Sequence, residues 1–253
     1  MIIYLMIILT ILTFIAWFFI NNLRLRWVCG LITMGLLLLC SIALSGNLYS
    51  HWGMTKDTKV TVSTDIYSAG TSESPANILL YQNLGTKTDN AVLIFRDKWN
   101  EEQAKPHFVP EKKDIRDSSK KRAVYRLTKG QKAKITIKRT EWRYRSNTAK
   151  WFFDFADNDH QLISQRTTVT LPENSWVVMT PVQAKKLATL QKQLSPAEKN
   201  EQEQMMQQAI QEKVRVYQQN NPQASAQEIA SYSQRLTAEL SVKALNQTLQ
   251  KLK

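Results

Sequence analysis

Cysteine is scarce in this chain and absent from most of it. The two cysteines, Cys29 and Cys40, both lie within the first 45 of the 253 residues. Residues 46–253 therefore contain no thiol, which excludes a disulfide, a cysteine-ligated zinc site and a cysteine nucleophile from that part of the chain. A thiol-free segment is compatible with a location outside the cytoplasm, although many cytosolic domains also lack cysteine.

The sequence also lacks the motifs of common enzymes. Its histidines are far apart, and no G-x-S-x-G, Walker or H-E-x-x-H pattern occurs. Asp154, Asp157 and Asp159 lie close together, but they lack the spacing and the glycine of a calcium loop, so a polar turn explains them better. The adjacent Glu101 and Glu102 lie in a charged stretch and are not a distinctive acid–base pair. We therefore predict no catalytic residues, no metal and no cofactor.

Charge is almost absent from the first 55 residues, where Arg24 and Arg26 are the only charged side chains. These arginines separate two apolar runs, at residues 2–20 and 27–44. At about 1.5 Å per helical residue, each run is about as long as the hydrocarbon core of a bilayer is thick. Neither run has the polar stripe of a soluble helix, so we predict two transmembrane helices and a multi-pass protein of the cell membrane. Signal-peptide cleavage at residues 43–45 is the less favoured alternative, because another full apolar run comes first.

The short connection NNLRLR makes the two predicted helices a hairpin, whose outer ends lie on one side of the membrane. Basic loops are retained in the cytoplasm, and short loops follow this rule best. Arg24 and Arg26 are therefore the topology-determining residues: they face the cytoplasm, and residues 46–253 are extracytoplasmic. Lys56 and Lys59 follow the second run and oppose this orientation, but they lie farther from the helix end and an acidic neighbour offsets them.

The middle of the chain has the alternation and the turn signals of short β-strands. Strands at this spacing favour an antiparallel, mainly-β domain, and the sequence leaves a sandwich and a barrel as alternatives. Residues 98–121 are charged, contain two prolines and are predicted to form a long mobile loop. The predicted strands occupy residues 58–67, 77–82, 91–96, 123–127, 132–145, 150–155, 162–171 and 175–180.

The basic charge outside the apolar runs is concentrated in one segment. Residues 111–150 contain 15 Lys or Arg and 4 Asp or Glu, whereas the rest of the chain after residue 45 has 17 of each kind. On a folded sheet, part of this excess forms a basic face interleaved with Trp142, Tyr144 and Trp151. Such a face is either merely solvated or attracts anionic polymer or lipid headgroups. The predicted location argues against nucleic acid as a partner. The candidate anion-binding residues are Lys132, Lys134, Lys138, Arg143 and Arg145.

Residues 182–253 change in composition and predict a helical hairpin. The sequences S-P-A-E at 195–198 and S-A-Q-E at 225–228 are capping boxes that start two helices, and N-N-P at 220–222 separates them. Each helix carries an apolar stripe that needs a partner. Packing on the protein's own domain and contact with another chain both remain compatible with this pattern.

A family resemblance is carried by the order of these segments and by several sequence phrases. The phrases are LLYQNLGTKTDNAVLIFR, KRTEWRYRSNTAKWFFDFADNDHQLIS and LPENSWVVMTPVQAKKLATL, all after a hydrophobic hairpin. The chain resembles an uncharacterised family of two-transmembrane-helix membrane proteins found mainly in lactic-acid-type Gram-positive bacteria. The resemblance implies a bacterial cell membrane and a wall-facing domain, and it carries over no activity and no site residues.

The predicted architecture is a membrane-anchored α+β protein in three parts. The parts are a transmembrane hairpin at 1–45, an extracytoplasmic β domain at 46–181 and a C-terminal helical tail at 182–253. The predicted function is that of a binding or scaffolding module of the cell envelope, held in the lipid bilayer and contacting anionic wall polymer or lipid headgroups. The alternative is an accessory subunit of a membrane transporter or envelope enzyme, which would contact its partner at the small hairpin residues Gly30, Gly35 and Ala43. The sequence leaves the oligomeric state open.

Overall fold

The computed structural model of this protein describes residues 1–71, 74–85, 90–110 and 115–252. The chain folds as two compact units, each built from two separate segments. Unit 1 contains residues 1–59 and 138–165, and unit 2 contains residues 60–137 and 166–253. Contacts between residues distant in sequence therefore hold each unit together.

The elements found in the described residues follow the predicted order of apolar helices, strands and C-terminal helices. The helices are α1 Ile2–Phe19, α2 Leu23–Ser50, α3 Ile115–Ser118, α4 Asn147–Phe153, α5 Pro181–Gln193, α6 Pro196–Asn220 and α7 Ala226–Lys251. The strands are β1 Met54–Ser63, β2 Asn77–Asn83, β3 Ala91–Phe95, β4 Lys105–His107, β5 Lys121–Thr128, β6 Lys134–Tyr144, β7 Leu162–Pro172 and β8 Trp176–Met179. β1, β6 and β7 each contribute residues to both units.

α1 and α2 are both long and apolar enough to cross a membrane. Only 17% and 6% of the residues in their most apolar stretches are buried. A core helix of a soluble protein would have its apolar face covered, and these two helices are mostly uncovered. The two predicted apolar helices are confirmed, and α2 begins earlier and ends later than predicted.

The connection between the two helices is shorter than predicted, because α2 already begins at Leu23. Arg24 and Arg26 therefore lie in the first turn of α2 rather than in the loop. The side chain of Asn22 accepts hydrogen bonds from the backbone N–H groups of Arg24 and Leu25, which makes Asn22 the N-cap. Arginine and leucine are good helix formers, so the helix extends back to this cap.

The strands form two four-stranded sheets, with the orders β1-β6-β7-β5 and β4-β3-β2-β8. β2 and β3 pair antiparallel, with Leu80 opposite Ile94. β8 pairs with β2 in parallel, with Met179 opposite Leu80, so the expectation of an antiparallel domain is wrong for this pair. More than 90 residues separate β2 from β8. That length permits the long crossover that parallel strands require.

The core of unit 2 contains side chains from both sheets. The second sheet contributes Leu79, Leu93 and Phe95, and β7 contributes Val169 and Leu171, each at most 1% exposed. A second cluster joins β8 to the helical tail. Its buried members are Ala76, Val177, Met179, Leu187, Val242 and Leu249. These clusters remove a large apolar area from water and so supply the main stabilisation of this unit.

The predicted strand at residues 150–155 is wrong, because this segment is mainly the helix α4. The Ser146 side chain accepts a hydrogen bond from the backbone N–H of Ala149 and caps the helix. A short apolar run does not by itself distinguish a strand from a helical turn. Trp151, expected on a basic sheet face, lies on α4 and is exposed.

The helical tail begins one helix earlier than the two capping boxes indicate, with α5. Both predicted boxes are present, with Ser195 and Ser225 each bonded to the glutamate three residues later. α6 ends at Asn220, and the Tyr217 and Tyr232 rings stack with their centroids 4.1 Å apart. Through the second cluster α7 packs on its own unit, whereas the described α6 has no buried residue.

Candidate anion-binding cleft

The five predicted anion-binding residues are divided between the two units. Lys132 and Lys134 belong to unit 2, whereas Lys138, Arg143 and Arg145 belong to unit 1. The two arginines already have partners in unit 1. Arg143 Nη1 lies 3.4 Å from a carboxylate oxygen of Asp57, and Arg145 Nε donates to the carbonyl oxygen of Met54 at 3.2 Å.

The part of β6 that lies in unit 1 carries a buried carboxylate. Glu141 is 8% exposed and accepts hydrogen bonds from Arg139 and from His160 Nδ1, the latter at 3.1 Å. Burial raises the pKa of Glu141, but the bonds from His160 and Arg139 outweigh burial and leave the pKa below its ordinary value. This carboxylate is therefore ionised at neutral pH, and each of its two oxygens accepts a hydrogen bond within unit 1.

A second polar network in unit 1 surrounds Asn47 near the end of α2. Asn47 is completely buried, and its side-chain nitrogen donates to the Trp52 carbonyl oxygen at 2.7 Å. Its side-chain oxygen accepts from Asn158 at 3.2 Å and lies 3.3 Å from the Tyr144 hydroxyl, which donates to Asn158 at 2.8 Å. These groups satisfy one another, as buried polar networks must. The network therefore fixes the segment after α4 to the end of α2.

Unit 2 contains a cleft of about 350 Å³ that we name the arginine cleft. It lies where side chains of β2, β3, β5 and β7 meet. Its chemically distinctive members are two arginines, Arg126 on β5 and Arg166 on β7, and two tyrosines, Tyr81 and Tyr125. β5 and β7 are neighbours in the first sheet, which places the two arginines on adjacent strands.

Asn90 gives the arginine cleft its shape. Its side-chain oxygen accepts a hydrogen bond from the backbone N–H of Ala123 at 2.8 Å, and its backbone oxygen accepts one from Leu84 N–H at 2.8 Å. The first bond ties the residue before β3 to β5, and the second joins the same residue to Leu84, which follows β2. The wall of the cleft is thus held by backbone and amide hydrogen bonds.

The tyrosines provide a neutral aromatic wall. The ring centroids of Tyr81 and Tyr125 are 5.0 Å apart at an interplanar angle of 52°. Burial raises the pKa of Tyr125 above its ordinary value, and the adjacent Tyr81 raises it further. The Tyr125 hydroxyl consequently remains protonated near neutral pH and can donate a hydrogen bond to an acceptor in the cleft.

The electrostatics of the arginine cleft favour an anion. Arg126 and Arg166 are exposed, and no acidic side chain occurs among the described residues that line the cleft. Within the described part of the chain, neither guanidinium forms an ion pair. A guanidinium presents a planar fork of donors that matches carboxylate and phosphate oxygens, and it keeps its charge at any physiological pH. The geometry therefore suits a ligand with one or more anionic groups.

Sequence reasoning missed both arginines for a physical reason. Arg126 and Arg166 are 40 residues apart in sequence, and only strand order brings them together. Arg166 also lies outside the basic segment 111–150. The two arginines come together because β5 lies next to β7 in the sheet. Neither the charge density nor the periodicity of the sequence predicts that strand order.

A family model described as a domain of unknown function, DUF4811, matches residues 22–187. The match includes every residue named in the arginine cleft, all of α2 and all strands of the described chain. No curated protein and no solved structure matches the chain.

Proposed function

Since the chain belongs to the DUF4811 family, a domain family of unknown function, we propose a function from its own geometry. The protein is a membrane-anchored module of the cell envelope that binds an anionic ligand with its extracytoplasmic part. The observation that carries this proposal is the arginine cleft, in which Arg126 and Arg166 lack acidic partners within the described residues.

The ligand class follows from the chemistry of the cleft. Two guanidinium groups next to a tyrosine donor recognise the oxygens of a phosphate or carboxylate. In a Gram-positive envelope, such groups occur on teichoic acids and on anionic lipid headgroups. The net excess of basic side chains after residue 45 attracts the same ligands over longer distances. The long-range field and the local cleft therefore favour the same kind of partner.

The proposed orientation rests on the hairpin. Arg24 and Arg26 lie at one end of α2, and positive charge at a membrane boundary is retained in the cytoplasm. The amino group of Met1 donates to the carbonyl oxygens of Trp151 and Phe152 at 3.1 and 3.2 Å. The N-terminus thus lies next to a segment that follows α2, as a two-helix hairpin requires. Both ends of the hairpin then lie outside the cytoplasm.

The cleft is tested by measuring binding of the full chain in phosphatidylcholine nanodiscs to soluble poly(glycerol phosphate). Replacing both arginines, Arg126→Gln with Arg166→Gln, is expected to weaken binding at least about tenfold, because each charge-assisted hydrogen bond contributes roughly 1.5–3 kcal/mol. Titration with nanodiscs that contain phosphatidylglycerol tests whether a lipid headgroup is the source of the anion.

A matched control variant removes two positive charges outside the arginine cleft, one in unit 2 and one in unit 1. Lys134→Gln with Lys138→Gln is expected to change the salt dependence slightly and to leave most of the affinity. Equal losses in the two double variants would show that diffuse attraction, not the cleft, binds the polymer. Absence of binding to both the polymer and the anionic nanodiscs by the unaltered protein would refute the proposal.

A further inference from the structure

Unit 2 contains a second, larger cleft of about 740 Å³, which we name the tryptophan cleft. Its floor is apolar and includes Phe95 together with Ile135 and Ile137. Trp99 and Tyr67 stand at its rim. The ring centroids of these two residues are 6.3 Å apart in an edge-to-face arrangement, and Trp99 remains 64% exposed. A large aromatic ring is thus presented to solvent in the part of the chain outside the apolar helices.

The turn that carries Trp99 is held in one conformation. Arg96 is 7% exposed and donates to the carbonyl oxygens of Ser68 at 2.6 Å, Gly70 at 2.6 Å and Glu101 at 3.2 Å. The Glu101 carboxylate in turn accepts from the backbone N–H of Asp97 at 2.9 Å. These bonds close the turn on both sides of Trp99. These bonds hold the backbone that carries the ring, so this backbone loses little conformational entropy when a ligand packs on Trp99.

Local backbone strain also occurs at the tryptophan cleft. Phe108, one of its lining residues, has a φ of 61°, in the left-handed region that a bulky side chain rarely adopts. The preceding His107 stacks on Phe95 with ring centroids 3.9 Å apart, and its Nε2 lies 3.7 Å from a carboxylate oxygen of Asp97. Strained residues of this kind concentrate at binding sites. His107 therefore contacts both Phe95 in the floor and Asp97 in the lining of the cleft.

The polar groups around the cleft are of mixed character. Asp65 and Asp97 provide acceptors, whereas Lys98 and Asn100 provide donors. The two carboxylates repel an anion, and Lys98 offsets only one of their two charges. A sugar ring fits this combination, because its apolar C–H face packs on an aromatic ring while its hydroxyl groups both donate and accept hydrogen bonds. We propose that the tryptophan cleft binds a sugar unit of an oligosaccharide or polysaccharide.

This proposal is independent of the arginine cleft, because the two sites share no residue and select different chemistry. It is tested by calorimetric titration of the full chain in nanodiscs with short soluble oligosaccharides, one series built from N-acetylglucosamine and one from glucose. Trp99→Ala is expected to weaken binding about tenfold, a loss typical of removing one stacked aromatic ring. Trp99→Phe keeps an aromatic face and is expected to retain most of the affinity.

Two controls make the result specific. Trp151→Ala removes another exposed tryptophan, from unit 1, and is expected to leave oligosaccharide affinity unchanged. The double variant Arg126→Gln with Arg166→Gln is also expected to bind oligosaccharides normally, so failure of the anionic ligand and failure of the sugar ligand are distinguishable. The proposal is overturned if neither series binds at millimolar concentration or if Trp99→Ala binds as well as the unaltered protein. Binding of choline alone, lost in Trp99→Ala, would identify an organic-cation site and would equally overturn it.

Discussion

At the scale of single residues, Glu141 shows how a buried carboxylate contributes to stability. Its pKa lies below the ordinary value of 4.5, because hydrogen bonds from His160 and Arg139 outweigh the effect of burial. A carboxyl group with a lower pKa in the folded state stabilises the fold at pH values above its unfolded pKa. This contribution disappears as the pH falls through the folded pKa.

Glu141→Gln is therefore expected to lower the thermal unfolding midpoint of the full chain in detergent at pH 7. A hydrogen bond to a charged group contributes roughly 1.5–3 kcal/mol, which sets the scale of the loss. The difference between the two proteins should become smaller below about pH 4, where the unaltered carboxyl group begins to be protonated. Glu102→Gln, at an exposed position, is the matched control. A difference that stays constant from pH 7 to pH 3 would contradict the proposed role.

Single residues were also where sequence reasoning was least informative. The sequence predicted no distinctive acid–base pair at Glu101 and Glu102, and it gave no sign that Glu101 closes the turn around Trp99. The residues 98–121 were expected to be a mobile loop. The described part of that stretch instead contains β4, α3 and this hydrogen-bonded turn, while residues 111–114 lie outside the described residues. The structure of this stretch depends on contacts that local sequence patterns do not predict.

At the scale of elements, the packing of α1 on α2 depends on a glycine. A Cβ atom added at Gly30 would lie 2.8 Å from Nε1 of Trp17, closer than real Cβ contacts. Trp17 in turn packs edge-to-face on Trp27 with ring centroids 5.1 Å apart. Gly35, on the same helix, has open space around the corresponding position. Gly35 therefore has room for a larger side chain, whereas Gly30 does not unless Trp17 moves.

Gly30→Val is expected to separate the helices at Trp17 and to destabilise the hairpin, whereas Gly35→Val should leave it intact. The cost of overpacking is typically about 1–3 kcal/mol. The measurement is the efficiency of a disulfide crosslink engineered between α1 and α2 in membranes, compared across both variants. Equal crosslinking in Gly30→Val and the unaltered protein would show that the helices do not need this close approach. Loss of a copurifying membrane protein in Gly35→Val alone would favour the accessory-subunit alternative.

Elements whose sequence signal lies within a few neighbouring residues were predicted well. The capping boxes at Ser195 and Ser225 and the break after Asn220 depend only on neighbouring residues, and all three are present. The strands with clear alternation were also found near their predicted positions. α4 was missed because its apolar run spans less than two helical turns. So short a run fits the pattern of a strand as well as that of a helix. The parallel pairing of β8 with β2 was missed because strand order is set by packing over the whole chain.

At the scale of the whole molecule, the apolar helices were evident from composition, whereas the division into two units was not. β6 is one continuous strand, and its residues up to Ile137 belong to unit 2 and those from Lys138 to unit 1. Ile135, in the first part, and Glu141, in the second, are its buried residues, whereas Arg139 between them is exposed. In unit 1, Trp142 of this strand stacks on His51 with ring centroids 4.2 Å apart.

The orientation of the molecule gives the last prediction. Cys29 and Cys40 are replaced by alanine, and one new cysteine is placed either at Asn21, between the apolar helices, or at Gln234 on α7, both exposed positions. A membrane-impermeant maleimide added to intact cells is expected to label Gln234→Cys, and to label Asn21→Cys only after permeabilisation. The reason is that, in the proposed orientation, Arg24 and Arg26 hold their end of the hairpin in the cytoplasm.

The same assay tests whether charge is the cause of this orientation. With Arg24→Gln and Arg26→Gln, Lys56 and Lys59 become the basic residues nearest to the apolar helices. Labelling at Gln234→Cys in intact cells should then fall, because the positive charge now favours the reverse orientation. Replacing the two lysines by glutamine instead should leave the labelling unchanged. Protection of Gln234→Cys in the protein that keeps both arginines would place both clefts in the cytoplasm. Wall polymer would then be excluded as their ligand, whatever their affinity for it in nanodiscs.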